Sequence, residues 1–582
     1  MMDRLLTGVP GATHRASLAR RVWLWVALAG IAASWLALSG FRGLYNPDEG
    51  RYAEIPREML ATGDWVIPHL NGLVYIEKPP LQYWATAVGY EVFGLGNWSA
   101  RLYTALCGLA TVLVVMALAR RLWGAAAAWR SGIVLASSLL MLLMSHQLTV
   151  DMSLTLFMTL TLGGFCVAHH ERTPPRARRG WMLAVWASAA CAFLTKGLLA
   201  GVLPILTLIV YSALNRDLAP WRRLHPRSGM ALFLAIVLPW LILIQHRLPA
   251  FFNFFFIREH FQRYLTLVER RYQPWWFFGE VLAAGSLPWI VPMVRALLTG
   301  WRASEPRGRF DARRLLWAWS VVVLVFFSAS DSKLIPYILP MFPSLAVLVG
   351  TAEERRLAAD LRITAAGLIV LGAAVAAGAA LLPQLLHDPA TATYFLGIRG
   401  PLALIAFAFV AGGVAALARG RGRHSQPADG EARAPDRAVD RPARAMPLVA
   451  AVGAAGYVSF IGVLWAASAL APLYSGEPLV KQLSPALRET PVVYGVRLYD
   501  QSLPFYLRRT MTLVDYRGEL DFGLTLEPHK GIDTLAAFEP RWREGGQALA
   551  VMSPDTYGAL AARGLPMTVR ARTPKELIVS RY

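Results

Sequence analysis

The chain has 582 residues, 55% of them hydrophobic and only 16% charged, with a formal net charge of +21. Apolar residues recur in blocks of about 17–22, long enough to cross a bilayer as helices, which argues against a large soluble helical protein. The positive charge sits in short loops between these blocks, where it sets membrane orientation. It is not gathered on one face or in one domain, as nucleic-acid binding requires.

In chain order, thirteen spans are expected, at roughly 22–40, 103–122, 130–146, 151–169, 181–195, 198–213, 229–246, 275–297, 313–330, 334–350, 362–383, 400–418 and 448–470. Arg4, Arg15, Arg20 and Arg21 precede the first span, and the even-numbered loops are rich in arginine while most odd-numbered turns are poor in it. That alternation gives a cytoplasmic N-terminus. The first span reads as an uncleaved helix, with a signal peptide as the alternative. The Ala/Arg/Pro/Asp-rich stretch 420–446 reads as a disordered cytoplasmic loop. The loop 247–274 breaks the alternation, because it holds Arg258, Arg263, Arg270 and Arg271 on the non-cytoplasmic side.

After residue 471 the pattern changes. Short strand-like runs at 492–496, 512–514, 548–552 and 576–580 alternate with helical candidates such as Pro554–Ala562. The expected fold class is therefore an α-helical polytopic membrane protein with a C-terminal α/β domain outside the cytoplasm. Residues 1–471 form the membrane domain, with a first external loop at about 41–102, and residues 472–582 form the terminal domain. Three cysteines (Cys107, Cys166 and Cys191) lie in apolar runs and offer no disulfide framework.

The chemistry concentrates in the first external loop. Asn46-Pro47-Asp48-Glu49-Gly50-Arg51-Tyr52-Ala53-Glu54 follows the first span, and Tyr75-Ile76-Glu77-Lys78-Pro79-Pro80 comes later. Ionisable groups at a membrane surface are functional suspects, because burying them is expensive. Only six of the 58 basic residues are lysine, and Lys78, Lys196 and Lys333 all fall in non-cytoplasmic loops or turns. A mobile ammonium suits a phosphate; interfacial snorkelling is the alternative. Asp151 opens the fourth span as an acid partner or a helix N-cap, and Asp48 is an acid or a turn residue after Pro47. Glu259, His260 and Arg263 lie on the same face. A lone histidine near aromatics is ordinarily structural, and no Cys or multi-His pattern supports a metal there. The aromatic clusters Phe251–Phe256 and Trp275–Phe278 read as an interfacial belt.

These motifs resemble a known family. The acidic pair after the first span, the stretch YIEKPPLQY from Tyr75 to Tyr83, and Glu259-His260-Phe261-Gln262-Arg263 look like the bacterial polyprenyl-phosphate glycosyltransferases of the GT-C class. Within it the likeness is greatest to the aminoarabinose transferases, and it extends to Tyr499–Leu507 and Gly518-Glu519-Leu520. The resemblance implies transfer of 4-amino-4-deoxy-L-arabinose from undecaprenyl phosphate to lipid A phosphates, on the periplasmic side of the bacterial inner membrane. The modification would raise resistance to cationic peptides such as polymyxin. By motif, Asp48 is implied as the essential acid with Asp151 as its partner. Arg51, Lys78, Lys196, Arg263 and Tyr337 would bind donor phosphate or substrate. Glu77 and His260 match positions that hold a divalent, zinc-like metal. The implied partners are the lipid-linked donor, lipid A and membrane lipids, with no nucleic acid, and the implied state is a monomer.

Other readings stay open on the residues alone. A related transferase that moves another sugar to a protein hydroxyl would need Asp48 as a true base. A lipid transporter would ordinarily show two similar halves, and no such repeat is evident. A structural protein would not need acids and cations clustered on one face.

Overall fold

The structure, a computed structural model, describes residue 26 and residues 28–262, 273–306, 309–386, 389–420 and 445–581. Seven of the described helices are long and apolar enough to cross a bilayer: Asn97–Trp123, Val150–His169, Pro226–Arg247, Ala312–Ala329, Glu354–Leu385, Ala392–Arg419 and Met446–Leu473. This is a multi-pass membrane protein. The expected span at 130–146 is instead two helices, Ala125–Ala136 and Leu139–Ser145, bent by 66°. The expected span at 275–297 is also broken, into Phe277–Gly285 and Ile290–Thr299. Pro288 lies in that gap, and a proline supplies no backbone N–H to continue a helix. The segment expected at 334–350 starts as a 3₁₀ turn, Ile335–Met341, before the helix Phe342–Gly350. Residues 421–444 of the loop expected to be disordered lie outside the described residues, as do residues 1–25.

The loop after the first expected span is built on the helix Asp48–Thr62. Asp48 and Glu49 in its first turn favour the positive end of the helix dipole. It stops at Gly63, whose φ of 72° suits a residue without a side chain. Although the helix is rich in charge, every residue from Glu49 to Met59 is buried. A polar helix is covered this way only when its charges find partners.

The cover is the terminal domain. Its sheet, numbered after the short antiparallel pair β1 (His69–Leu70) and β2 (Leu73–Val74) of the first loop, runs in the order β5-β4-β3-β6-β8-β7, from β3 (Val492–Val496), β4 (Thr512–Val514), β5 (Gly531–Ile532), β6 (Ala548–Met552), β7 (Thr568–Arg572) and β8 (Leu577–Ser580). β3 to β6 pair in parallel, while β8 and β7 are antiparallel additions. Strand side chains alternate between faces. Leu549, Val551 and Ile578 accordingly join a core with Leu44, Tyr52, Tyr75 and Tyr83 of the first loop. Ala548, Ala550, Met552 and Val579 face a second core with Phe538 and Trp542. Loop and terminal domain thus share one apolar core, and β6 is buried on both faces.

Polar contacts fix the same junction. Asn46 Nδ2 donates to Asp500 at 2.6 Å, and its carbonyl accepts from the Ser502 N–H at 2.9 Å. A Cβ on Gly50 would lie 2.5 Å from the backbone of Gln501 and Ser502, so the two segments approach as closely as a glycine allows.

Candidate active site

The acidic pair of the first loop divides into two roles. Glu49 is fully buried and saturated: it pairs with Arg42, accepts from Arg101 at 2.7 and 2.9 Å, and accepts the N–H groups of Tyr45 and Leu148. Burial pushes its carboxyl up, but Arg101 and Arg42 outweigh this and hold it down at about 2. Glu49 is a strut that ties the loop to the segment before the Val150–His169 helix. Asp48 is the opposite: its side chain is 45% exposed, and its nearest cation is Arg51 at 3.9 Å.

Arg51 is the centre of the first cluster. It is buried, forms an ion pair with Glu519 of the terminal domain at 2.6 Å, and lies 3.9 Å from Glu77. Its guanidinium sits 5.7 Å from the Tyr75 ring centroid. Gln501 donates to the other oxygen of Glu519 at 2.6 Å. One guanidinium is therefore ringed by Asp48, Glu77 and Glu519. Burial raises the Glu519 carboxyl above its ordinary range, against the pull of Arg51. Lys78 stands beside this ring, with its ammonium donating to the Glu77 carbonyl at 3.0 Å.

A second cluster lies at the start of the Val150–His169 helix. Thr149 occupies the N-cap position, without a capping side-chain bond, so the N-cap reading of Asp151 does not hold. Asp151 instead pairs with Lys196. Lys196 in turn sits 4.7 Å over the ring of Tyr337, which packs on Phe327. Ser153 donates to Gln82 at 3.0 Å, which joins this helix to the first loop. Tyr52 lies between the clusters and feels the charges of Asp48, Arg51 and Asp151.

Other expected residues fall differently. Lys333 donates to the carbonyls of Gln273 and Ser330 and ties down a turn. Arg263, Arg270 and Arg271 lie outside the described residues. His260 falls in the helical stretch Asn253–Gln262, but its side chain, like those of Arg258 and Glu259, is outside the description. Among the described residues no three His, Cys, Asp or Glu side chains converge to hold a metal, and Glu77 supplies one carboxylate. Sequence reasoning quoted Glu519 within a motif but gave it no role, because the chain gives no sign that it folds back onto Arg51. Arg101, the partner of Glu49, was missed as well.

Chemically, the arrangement offers an accessible carboxylate at Asp48, cations at Arg51, Lys78 and Lys196, and a phenol at Tyr337. Fixed cations of this kind stabilise charge that develops on a leaving phosphate.

Comparison with known proteins places this geometry. Residues 479–581 match the model of the aminoarabinose transferase C-terminal domain, and residues 77–243 match that of dolichyl-phosphate-mannose-protein mannosyltransferase. The undecaprenyl phosphate-alpha-4-amino-4-deoxy-L-arabinose arabinosyl transferase of Pseudomonas aeruginosa is 32% identical over 503 residues, 84% of each chain. The alignment with the namesake from Edwardsiella ictaluri is 34% identical but spans 54% of this chain and 56% of that protein. The crystal structure of ArnT from Cupriavidus metallidurans bound to undecaprenyl phosphate superposes with a TM-score of 0.83 at 35% identity, covering 96% of this chain and 98% of that one. With 32% identity over 84% of each chain in sequence and 96% of the chain matched in structure, the chain belongs to the aminoarabinose transferase family.

Proposed function

We propose that the protein transfers 4-amino-4-deoxy-L-arabinose from undecaprenyl phosphate to phosphate groups of lipid A. In this reading it works as a monomer in the bacterial inner membrane, with thirteen spans and with the first loop and terminal domain in the periplasm. The observation that carries it is the ring of Asp48, Glu77 and Glu519 around Arg51, beside the Asp151–Lys196 pair, in a fold shared with a relative whose structure holds undecaprenyl phosphate.

The chemistry follows from the charges. An oxygen of the acceptor phosphate attacks the anomeric carbon from the face opposite the donor phosphate. The bond from that carbon to the donor phosphate oxygen breaks, and undecaprenyl phosphate leaves with the electron pair, inverting the centre. Lys78, Lys196 and Arg263 hold the donor phosphate and meet its growing charge. Arg51, held by Glu519, adds its fixed charge beside the same space. Tyr337 keeps the Lys196 ammonium in place. A phosphate monoester has its second pKa at about 6, so the acceptor is already ionised near neutral pH. Asp48 therefore has little proton to remove, and it orients the acceptor or pairs with the sugar's ammonium. Glu77 and His260 belong to the proposal as holders of a divalent cation, which when bound would screen phosphate charge.

A second reading keeps the fold and changes the acceptor. The match to the mannosyltransferase model favours it. A protein hydroxyl as acceptor would make Asp48 a general base. Mass spectrometry of lipid A from cells with and without the gene decides between them. The proposal expects an amino-pentose on lipid A phosphate only when the gene is present. Unchanged lipid A, with a sugar appearing on protein, would replace it.

A further inference from the structure

A second charged cavity lies far from these clusters. It has a volume of about 440 Å³ and is lined by Arg295, Arg302, Arg313 and Arg356 against Glu353 and Asp360. It forms where the end of Ile290–Thr299 and the end of Phe342–Gly350 meet the beginnings of Ala312–Ala329 and Glu354–Leu385. The Ala312–Ala329 helix separates it from the site. That helix has 18 residues, or about 27 Å at 1.5 Å per residue, and its far end leads to Lys333 and Tyr337. The cavity therefore opens on the opposite membrane face, the arginine-rich one.

The acids are already engaged. Arg295 holds Asp360 at 2.8 Å, and Arg356 holds Glu353 at 3.2 Å. The side chains of Arg302 and Arg313 make no hydrogen bond or ion pair with the described residues, and Arg313 is half-buried. Burying the Arg313 guanidinium is costly, and the nearby Asp311 carboxylate offsets that only in part. Two helix beginnings and two helix ends meet there, so their dipoles offset and the positive potential rests on the arginines. The cavity is thus an open cationic pocket whose own acids are engaged, and planar guanidinium groups match phosphate oxygens.

We propose that this pocket binds a phosphate group, and that its source is the headgroup of an anionic phospholipid in the adjoining leaflet. The purified full-length protein in neutral detergent would be titrated with phosphatidylglycerol, phosphatidylcholine and inorganic phosphate, with bound lipid read by native mass spectrometry. Phosphatidylglycerol should be retained and phosphatidylcholine lost. Arg302→Gln and Arg313→Gln should each weaken phosphatidylglycerol binding about tenfold, as expected for losing a charge-assisted contact. Arg179→Gln, an exposed change on the same face, should leave it unchanged. Arg302 is exposed, so its variant keeps the test valid if Arg313→Gln does not fold. Displacement of phosphatidylglycerol by millimolar inorganic phosphate would overturn the lipid source. Equal retention of both lipids by the wild type and every variant would overturn the site.

Discussion

Arg51 of the first loop and Glu519 of the terminal domain, far apart in the chain, meet at 2.6 Å. The contact makes the terminal domain part of the charge cluster and not an appendage to the membrane domain. Losing Glu519 leaves the buried Arg51 with only its 3.9 Å contacts to Asp48 and Glu77, and breaking a buried pair costs up to about 3–5 kcal/mol. Glu519→Ala should therefore lower the melting temperature and sharply reduce transfer. Glu519→Gln removes the charge but keeps the side chain's shape and an acceptor for Gln501, and should fall between that variant and the wild type. Thermal unfolding in detergent alongside a transfer assay checks both.

The neighbours Asp48 and Glu49 should behave as opposites. Asp48 is half-exposed with one long contact, so Asp48→Asn should cost less than about 0.5 kcal/mol of stability while abolishing transfer. Glu49→Gln loosens a buried group bound by two arginines and should yield less folded protein. Size-exclusion profiles and transfer rates separate the two effects.

Lys196 and Asp151 should act as one unit. Lys196→Ala and Asp151→Asn should each reduce transfer roughly ten- to a hundred-fold, the range for losing a charge-assisted hydrogen bond. The double variant should be little worse than either, because contacting residues are not additive. Lys196→Arg should rescue only in part, since a planar fork cannot replace a compact ammonium over Tyr337. Lys481, largely exposed, serves as the control and should leave transfer unchanged when replaced by alanine.

Glu58 predicts a pH dependence of the junction. Burial, reinforced by Glu54, raises its carboxyl from the ordinary 4.5 to about 8. The folded state therefore favours the neutral acid. Its contribution to stability is complete below about pH 4.5 and is lost as the pH rises through about 8. Melting temperatures should fall between about pH 4.5 and about pH 8 and level off above it, and Glu58→Gln should flatten that fall.

How far the sequence could be read depends on the range of each interaction. The strands Val492–Val496, Thr512–Val514 and Ala548–Met552 were legible because short β-branched and apolar runs carry their own signal. The long helices were legible from hydropathy. The breaks inside 130–146 and 275–297 were not, since apolarity continues through them while the backbone turns. Lys78, Arg51 and Asp48 could be placed together because one loop holds them. The pairing of Asp151 with Lys196, the return of Glu519 to Arg51 and the strut from Arg101 to Glu49 join distant segments, and no local pattern records them.

The most direct test of the central claim is transfer by the purified protein in vitro. Wild-type and Asp48→Asn proteins, both shown to be folded, would be given undecaprenyl-phosphate aminoarabinose and lipid A, and the product would be read by mass spectrometry. The account predicts one amino-pentose added to a lipid A phosphate by the wild type, stoichiometric release of undecaprenyl phosphate, and no product from Asp48→Asn. Near-normal product from folded Asp48→Asn, or none from the wild type, would contradict it.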